Sequence, residues 1–344
     1  MKAKTYSNPA EVAKNIHVPT YEEILERIKA KYPRRAKTLF DKEQTALQRT
    51  YDIVMAKTDF VRELAKLLDS LHPFYWRLIE IEFDRSQVHR SLSCISKSRK
   101  IAAKLFGKYR FLLMAAENRR ELVRTGSEGR GRILSLFKKC RRSLYYLRDL
   151  VVFIQKLPSI DPYLPTIIVA GPPSSGKSTL VRNATRAKPK VASYPFTTKN
   201  IHIGHFTIGD DKIQVIDTPG LLDRPVEEMN NVERKAVAAM KELHGVILFL
   251  VDVSGEAYAD LDRQFNLLSN ITKITPDKKI YLALNKIDEA DQDLLERARE
   301  KASLLLGKGK IVDYYEMSTL DLDQVRNLVY KIGLTLISSN RSHK

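Results

Sequence analysis

The chain has 344 residues, 43% of them hydrophobic, and carries 59 Lys and Arg against 41 Asp and Glu, a formal charge of +18 at pH 7. That length and balance suit a soluble chain of two globular domains. No window approaches the apolar run that spans a bilayer, the N-terminal MKAKTYSNPAEVAKN is polar rather than a signal sequence, and Cys94 and Cys140 lack the spacing of a zinc site, which together exclude a membrane protein, a secreted protein and a zinc protein. The expected location is the cytoplasm, and both cysteines are expected as reduced thiols on helices.

Residues 1–157 read as a basic, all-α domain. Apolar residues recur three and four apart at Tyr21, Ile24, Leu25 and Ile28, along Phe60, Val61, Leu64, Leu67, Leu68 and Leu71, and again at Leu144, Leu147, Leu150, Val151 and Ile154. Breaks at Pro19, Pro33, Pro73 and around Gly126 to Gly131 predict about four or five helices in an antiparallel bundle. The segment Gly126-Ser127-Glu128-Gly129-Arg130-Gly131 reads as a turn between helices, with a hinge or an RNA-touching tip as alternatives. His72-Pro73-Phe74-Tyr75-Trp76 reads as a helix start carrying core anchors, base stacking being the other reading. Charge is uneven: residues 1–165 hold 34 basic and 18 acidic side chains, residues 166–344 hold 25 and 23. The excess is densest between Lys97 and Arg148, in clusters such as Lys97-Ser98-Arg99-Lys100, Arg119-Arg120 and Lys138-Lys139-Cys140-Arg141-Arg142. Such a concentration is the footprint of a polyanion binder.

Pro158, Pro162 and Pro165 mark a linker over residues 158–165. Strands and helices then alternate through 166–344, as in an α/β domain. Strands are predicted at 166–170, 201–208, 212–217, 246–252, 279–284 and 310–317, and helices at 178–185, 230–243, 259–271, 291–306 and 322–337. The tight turn Gly209-Asp210-Asp211 makes the second and third strands an antiparallel hairpin, so the sheet is expected to be mixed and mostly parallel.

Residues 171–178, Gly-Pro-Pro-Ser-Ser-Gly-Lys-Ser, follow the first strand and open a helix with the spacing of a phosphate-binding P-loop. Gly171 and Gly176 let the loop through Pro172, Pro173, Ser174 and Ser175 curl with its N–H groups inward, and Thr179 follows in the helix. Lys177 reaches the outer phosphates, and Ser178 offers a hydroxyl to Mg²⁺. Asp217-Thr218-Pro219-Gly220 closes the third strand, which places a carboxylate near the metal's water shell and a glycine amide near a γ-phosphate. Asn285-Lys286-Ile287-Asp288 closes the fifth strand. Asp288 there can accept two hydrogen bonds from guanine, a donor pair that adenine lacks, while Lys286 lies along the base and Asn285 ties the base loop to the phosphate loop. Ser318-Thr319, after the last strand, can offer an amide to guanine O6. Between these motifs, Tyr194-Pro195-Phe196-Thr197-Thr198-Lys199 reads as a first switch, with Thr198 preferred over Thr197 as ligand to Mg²⁺ and the γ-phosphate. The second switch runs from Gly220 to about Val232. Leu221 stands where many small GTPases place a water-orienting glutamine, so hydrolysis is expected to be slow unless Asp223 or Arg224 does that work. With no convincing general base, catalysis is assigned to charge stabilisation and positioning by Lys177, Thr198 and Gly220, and the metal to Ser178, Thr198 and Asp217.

The order GPPSSGKST, YPFTTKNIHIGH, DTPGLLDRP and NKID resembles the Obg branch of translation-factor GTPases and, within it, the Nog-type nucleolar GTP-binding family. HPFYWRLIEIEFDR (His72 to Arg85) and LPSIDPYLPT (Leu157 to Thr166) resemble that family's helical N-terminal domain and its entry into the GTPase domain. The resemblance implies an all-α N-terminal helical bundle followed by an α/β P-loop GTPase domain, which acts as a GTP/GDP switch in assembly of the large ribosomal subunit through rRNA contacts. It also implies Mg²⁺ as cofactor, the subunit or its precursor as partner, no membrane, and a monomer. The alternative is an RNA-binding placeholder that holds nucleotide for stability and barely hydrolyses it. Two departures stand out. Obg-type loops usually carry, where Ser174 stands, an Asn that helps bind activating K⁺, which leaves K⁺ an open alternative. The chain also ends soon after its last helix, so it is expected to resemble a compact, archaeal-like form without the eukaryotic C-terminal extension.

Overall fold

The computed structural model describes residues 8–185, 189–194, 200–217, 222 and 229–341. The chain forms two compact units, one of residues 9–71 and 82–156 and a second that includes residues 72–81 and 157–344. Among the described residues no helix is long and apolar enough to cross a membrane.

The first unit is all helix: α1 (Pro9–Lys14), α2 (Tyr21–Ala30), α3 (Leu39–Lys57), α4 (Phe60–Ser70) and, beyond a short α5 (Pro73–Ile79) that belongs to the second unit, α6 (Arg85–Met114), α7 (Arg119–Lys139) and α8 (Arg141–Gln155). Thr20, Thr38, Asp84 and Asn118 start α2, α3, α6 and α7, each accepting a backbone hydrogen bond three residues on; a cap of this kind is worth about 1 kcal/mol. Most of the apolar positions read from spacing are core positions, with Ile24, Leu64, Leu144, Leu147, Leu150 and Ile154 fully buried, while Leu25, Ile28 and Leu71 are half-buried.

The expected turn at Gly126 to Gly131 is not there. α7 runs through it, and the reversal falls instead at residues 115–118, between α6 and α7. Gly126 and Gly129 are buried on the inner face of α7, and a Cβ on Gly129 would stand 2.7 Å from Tyr109 Cγ. These glycines let helices approach closely rather than bend the chain. The contacts around them are tight: Tyr109 Oη donates to Glu128 Oε1 at 2.8 Å, and Arg130 Nη1 to the buried Glu43 Oε2 at 2.5 Å.

The expectation of two reduced thiols is likewise overturned: Cys94 and Cys140 form a disulfide, with Cα atoms 6.0 Å apart. Both helices rise equally per residue, so residues equidistant from the reversal meet, and Glu117 lies midway between the two cysteines. Closing a loop of 46 residues removes about 4 kcal/mol of unfolded-chain entropy on the loop-closure model.

In the second unit, β1 (Thr166–Ala170), α9 (Lys177–Ala184), β2 (Lys190–Ser193), β3 (Asn200–Ile208), β4 (Asp211–Asp217), α10 (Asn231–Ala239), β5 (Gly245–Asp252), α11 (Leu261–Ile274), β6 (Ile280–Asn285), α12 (Gln292–Gly307), β7 (Asp313–Met317) and α13 (Leu322–Arg341) build a sheet of order β2-β3-β4-β1-β5-β6-β7. β4, β1, β5, β6 and β7 are parallel; β3 and β2 add antiparallel at one edge. The sheet is therefore mixed and mostly parallel, as the hairpin at Gly209 predicted. β1 and β6 are buried at every position, which is why they read as unbroken apolar runs. One face packs Ile167, Val169, Leu248 and Leu250 against Leu180 and Val181 of α9 and Val325, Val329 and Ile332 of α13.

Residues 72–81 depart from the boundary drawn at residue 157. His72 caps α5 through Nδ1, Pro73 takes the first turn, and Phe74, Tyr75 and Trp76 are buried. That burial selects core anchoring over base stacking. Tyr75 Oη donates to Pro158 O at 3.0 Å and to Ile160 O at 2.5 Å, and Arg77 pairs with Glu242, just past α10, at 3.2 Å.

Gly129→Ala is expected to destabilise the protein by about 1–3 kcal/mol through overpacking on Tyr109, despite its gain in helix propensity. Gly131→Ala, whose added Cβ meets nothing within 4 Å, should stabilise it by up to about 1 kcal/mol. Urea denaturation of the two variants should give shifts of opposite sign, and shifts of the same sign would refute the packing role of Gly129.

Candidate nucleotide site

β1 ends at Ala170, and the chain enters the phosphate loop with Gly171 at φ +141°, Ser174 at +61° and Gly176 at +96°. Gly176 directly precedes α9, and a Cβ there would lie 2.4 Å from Asn285 Nδ2; the position therefore demands glycine for conformation and space together. Lys177 is buried, and its Nζ donates to Gly171 O at 2.9 Å and Pro172 O at 2.6 Å. The loop thus wraps a fixed positive charge at the N-terminus of a helix, an arrangement that favours phosphate. Pro172 and Ser175 are buried, Pro173 and Thr179 half-buried, and Ser174 and Ser178 exposed.

Asp217 ends β4 fully buried. Its Oδ2 accepts from Ser178 Oγ at 2.5 Å and lies 3.3 Å from His202 Nδ1 on β3, while Oδ1 meets no donor. A buried acceptor without a partner costs about 1–3 kcal/mol. A hydroxyl beside a carboxylate with a spare oxygen is a hard-donor set that fits Mg²⁺ and the water it carries. Thr197, Thr198, Gly220 and Leu221, assigned to the switches, lie outside the described residues. Their flanks are described. Tyr194 is buried and donates from Oη to Ala236 O of α10 at 2.9 Å, burial pushing its phenol pKa up, and Leu222 O accepts from Gly171 N at 3.2 Å.

The base side is built at the ends of β6 and β7. Asn285 is fully buried; Nδ2 donates to Ser175 O at 2.8 Å and to Thr319 Oγ1 at 3.2 Å, and Oδ1 accepts from Thr319 N at 2.8 Å. The tie from base loop to phosphate loop is therefore present. Asn183 of α9 adds a second, donating from Nδ2 to Thr319 O at 2.8 Å. Asp288 is exposed on a 3-10 turn, Ile287–Glu289. Lys286 holds φ +65° and places Nζ 2.6 Å from Asp252 Oδ2. Ser318 and Thr319 differ from expectation: their amides are engaged by Gln324 Oε1 and Asn285 Oδ1, both at 2.8 Å. The amide nearest to free is that of Leu320, which reaches Ser318 Oγ at 3.3 Å.

His202, Asp252, Tyr194 and Asn183 carry these contacts; Tyr194 entered the sequence reading only as the start of the first switch, and the other three were assigned no role in it. Asp252 alone left a signal, a carboxylate ending the buried run of β5.

Two family models match in tandem: a NOG1 N-terminal helical domain over residues 14–161 and a 50S ribosome-binding GTPase over residues 166–286. The protein named nucleolar GTP-binding protein 1 of Caenorhabditis elegans is 33% identical over 88% of this chain and 43% of its own length. Those of the same name from Drosophila melanogaster and Saccharomyces cerevisiae are 31% and 32% identical, over 86% and 68% of this chain and 44% and 37% of their own lengths. The chain therefore spans less than half the length of these relatives.

Asn285→Ala would leave Ser175 O and Thr319 N buried without their partner. It is expected to destabilise the second unit by about 2–4 kcal/mol and to weaken GDP binding. Denaturation and titration with a fluorescent GDP check both effects; a variant as stable as the parent would remove Asn285 from its bridging role.

Proposed function

From a chain that belongs to the Nog-type family of nucleolar GTP-binding proteins, a helical domain followed by a GTPase domain, we propose a Mg²⁺-dependent GTP-hydrolysing switch that acts in assembly of the large ribosomal subunit and grips rRNA through the helical unit. Lys177 offsets charge on the β- and γ-phosphates. Ser178 and Thr198 would hold the metal, Asp217, with its spare Oδ1, would serve the metal's water shell, and Gly220 would offer its amide to the γ-phosphate. Mg²⁺ held by these residues would supply positive charge against the negative charge that builds on the outer phosphates. Asp288 accepts from guanine, Lys286 lies along the base, and the O6 amide passes from Ser318-Thr319 to Leu320. Leu221 supplies no hydrogen bond to an attacking water, which favours slow intrinsic turnover. Ser174 occupies a left-handed conformation that suits Asn well, so K⁺ dependence is best read by comparing the parent with Ser174→Asn.

The observation that carries the RNA part is α6. Its 30 residues include Arg85, Arg90, Lys97, Arg99, Lys100, Lys104, Lys108 and Arg110 and no Asp or Glu. Lys97, Lys100, Lys104 and Lys108 are exposed and recur at helical spacing, a single stripe of positive charge. The relatives are named nucleolar, which supports action where subunits are built: the nucleolus in cells that have one, the cytoplasm otherwise.

Co-sedimentation with large ribosomal subunits under GDP, GTP and a non-hydrolysable analogue, across a salt series, tests the whole reading. Retention at moderate salt with the analogue alone is the expected result. Neutralising the four stripe lysines to Gln should lower the log–log salt slope by about 3. Binding indifferent to nucleotide, with turnover negligible with and without subunits, would instead establish the placeholder.

A further inference from the structure

Asp252 ends β5 at 2% exposure, in register beside Asn285 at the end of β6. Its Oδ1 accepts from Ser254 N at 3.0 Å and Ser254 Oγ at 2.7 Å. Its backbone is gripped by the buried Gln264, whose Oε1 accepts from Asp252 N at 2.8 Å and whose Nε2 donates to Asp252 O at 2.9 Å. The other oxygen, Oδ2, faces Lys286 Nζ at 2.6 Å, outside hydrogen-bonding geometry, so the contact is a charge pair rather than a directed bond. A buried carboxylate needs a cation, and Lys286 supplies it from a side chain that is still 27% exposed.

We infer that Asp252 is a positioning residue for guanine: it pins the Lys286 ammonium so that the aliphatic stem of that residue stands ready as a platform for the base. The inference rests on the reading that Lys286 lies along the base. A free lysine side chain loses much rotamer freedom when it is ordered. The Asp252 pair makes that loss during folding, so binding does not have to. Lys286 has a second constraint, its left-handed backbone at φ +65°, and the two together fix the start and the end of the side chain. Because Asp252 acts through the base platform, phosphate contacts should be untouched by its replacement.

The test uses the full chain and a fluorescent N-methylanthraniloyl-GDP, with thermal melts alongside. Asp252→Asn, which keeps an acceptor for Ser254, should raise the Kd about tenfold, the cost of ordering one rotamer-rich side chain. Lys286→Met, which keeps the stem and loses the ammonium, should match it, and the double variant should be no worse than either. Lys286→Ala should lose more than Lys286→Met. An Asp252→Asn that binds as the parent does while Lys286→Ala binds weakly would overturn the role of Asp252 and leave the base platform standing. A Lys286→Ala with full affinity would remove the platform itself. Additive losses in the double variant would reduce Asp252 to a structural residue. If Asp252→Asn does not fold, Lys286→Met decides alone, since full affinity there would show that the pinned ammonium contributes nothing.

Discussion

Asn285 is fully buried where the ends of two neighbouring strands meet the phosphate loop, and its one amide satisfies three groups on the two segments it faces: Ser175 O, Thr319 Oγ1 and Thr319 N. Everything at the nucleotide site is referenced to that group. It fixes how far the phosphate loop stands from the base loop, and so whether one nucleotide can touch both. It also explains the glycine at 176, since a larger residue would stand 2.4 Å from Asn285 Nδ2. A buried amide of this kind is costly to misplace, because each unmade bond leaves a desolvated group behind. The loops therefore have one arrangement that satisfies them together.

Around that frame, charge is distributed by cost. Among the described residues, several buried charges are paired: Arg99 with Asp59, Arg130 with Glu43, Asp252 with Lys286. The exposed lysines of α6 face solvent without acidic neighbours on their own helix. Self-repulsion along such a stripe opposes compactness unless something anionic relieves it. The helical unit tolerates that repulsion because a disulfide and close helix contacts at Gly129 hold it from inside.

The turn between β1 and α9 and the loop after β6 were placed correctly because their motifs fix residue types at fixed spacing, and because parallel strands buried on both faces read as unbroken apolar runs. β2, at the sheet edge with Val191 60% exposed, has no such run and was missed. Gly126 to Gly131 misled because glycine signals either a bend or a close approach, and the sequence does not say which. The cysteine expectation rested on spacing and compartment, neither of which reveals the reversal near Glu117 that brings Cys94 and Cys140 together. Asp252 and His202 act through partners that are distant in sequence, so their roles required coordinates. Burial of Phe74, Tyr75 and Trp76 was readable, but the identity of their neighbours was not.

That last point bears on how the protein is made. Residues 72–81 lie early in the chain, yet the carbonyls of Pro158 and Ile160, and Glu242, which they engage, come far later. On the ribosome the aromatic trio of α5 emerges long before anything that covers it. Until residues 158–160, α10 and the turn through Glu242 have been synthesised, the nascent chain carries an apolar segment without these partners, which invites a chaperone or a wrong partner. Completion of the GTPase fold is therefore the event that releases α5 from that exposed state, and the order of synthesis makes α5 wait for the C-terminal half.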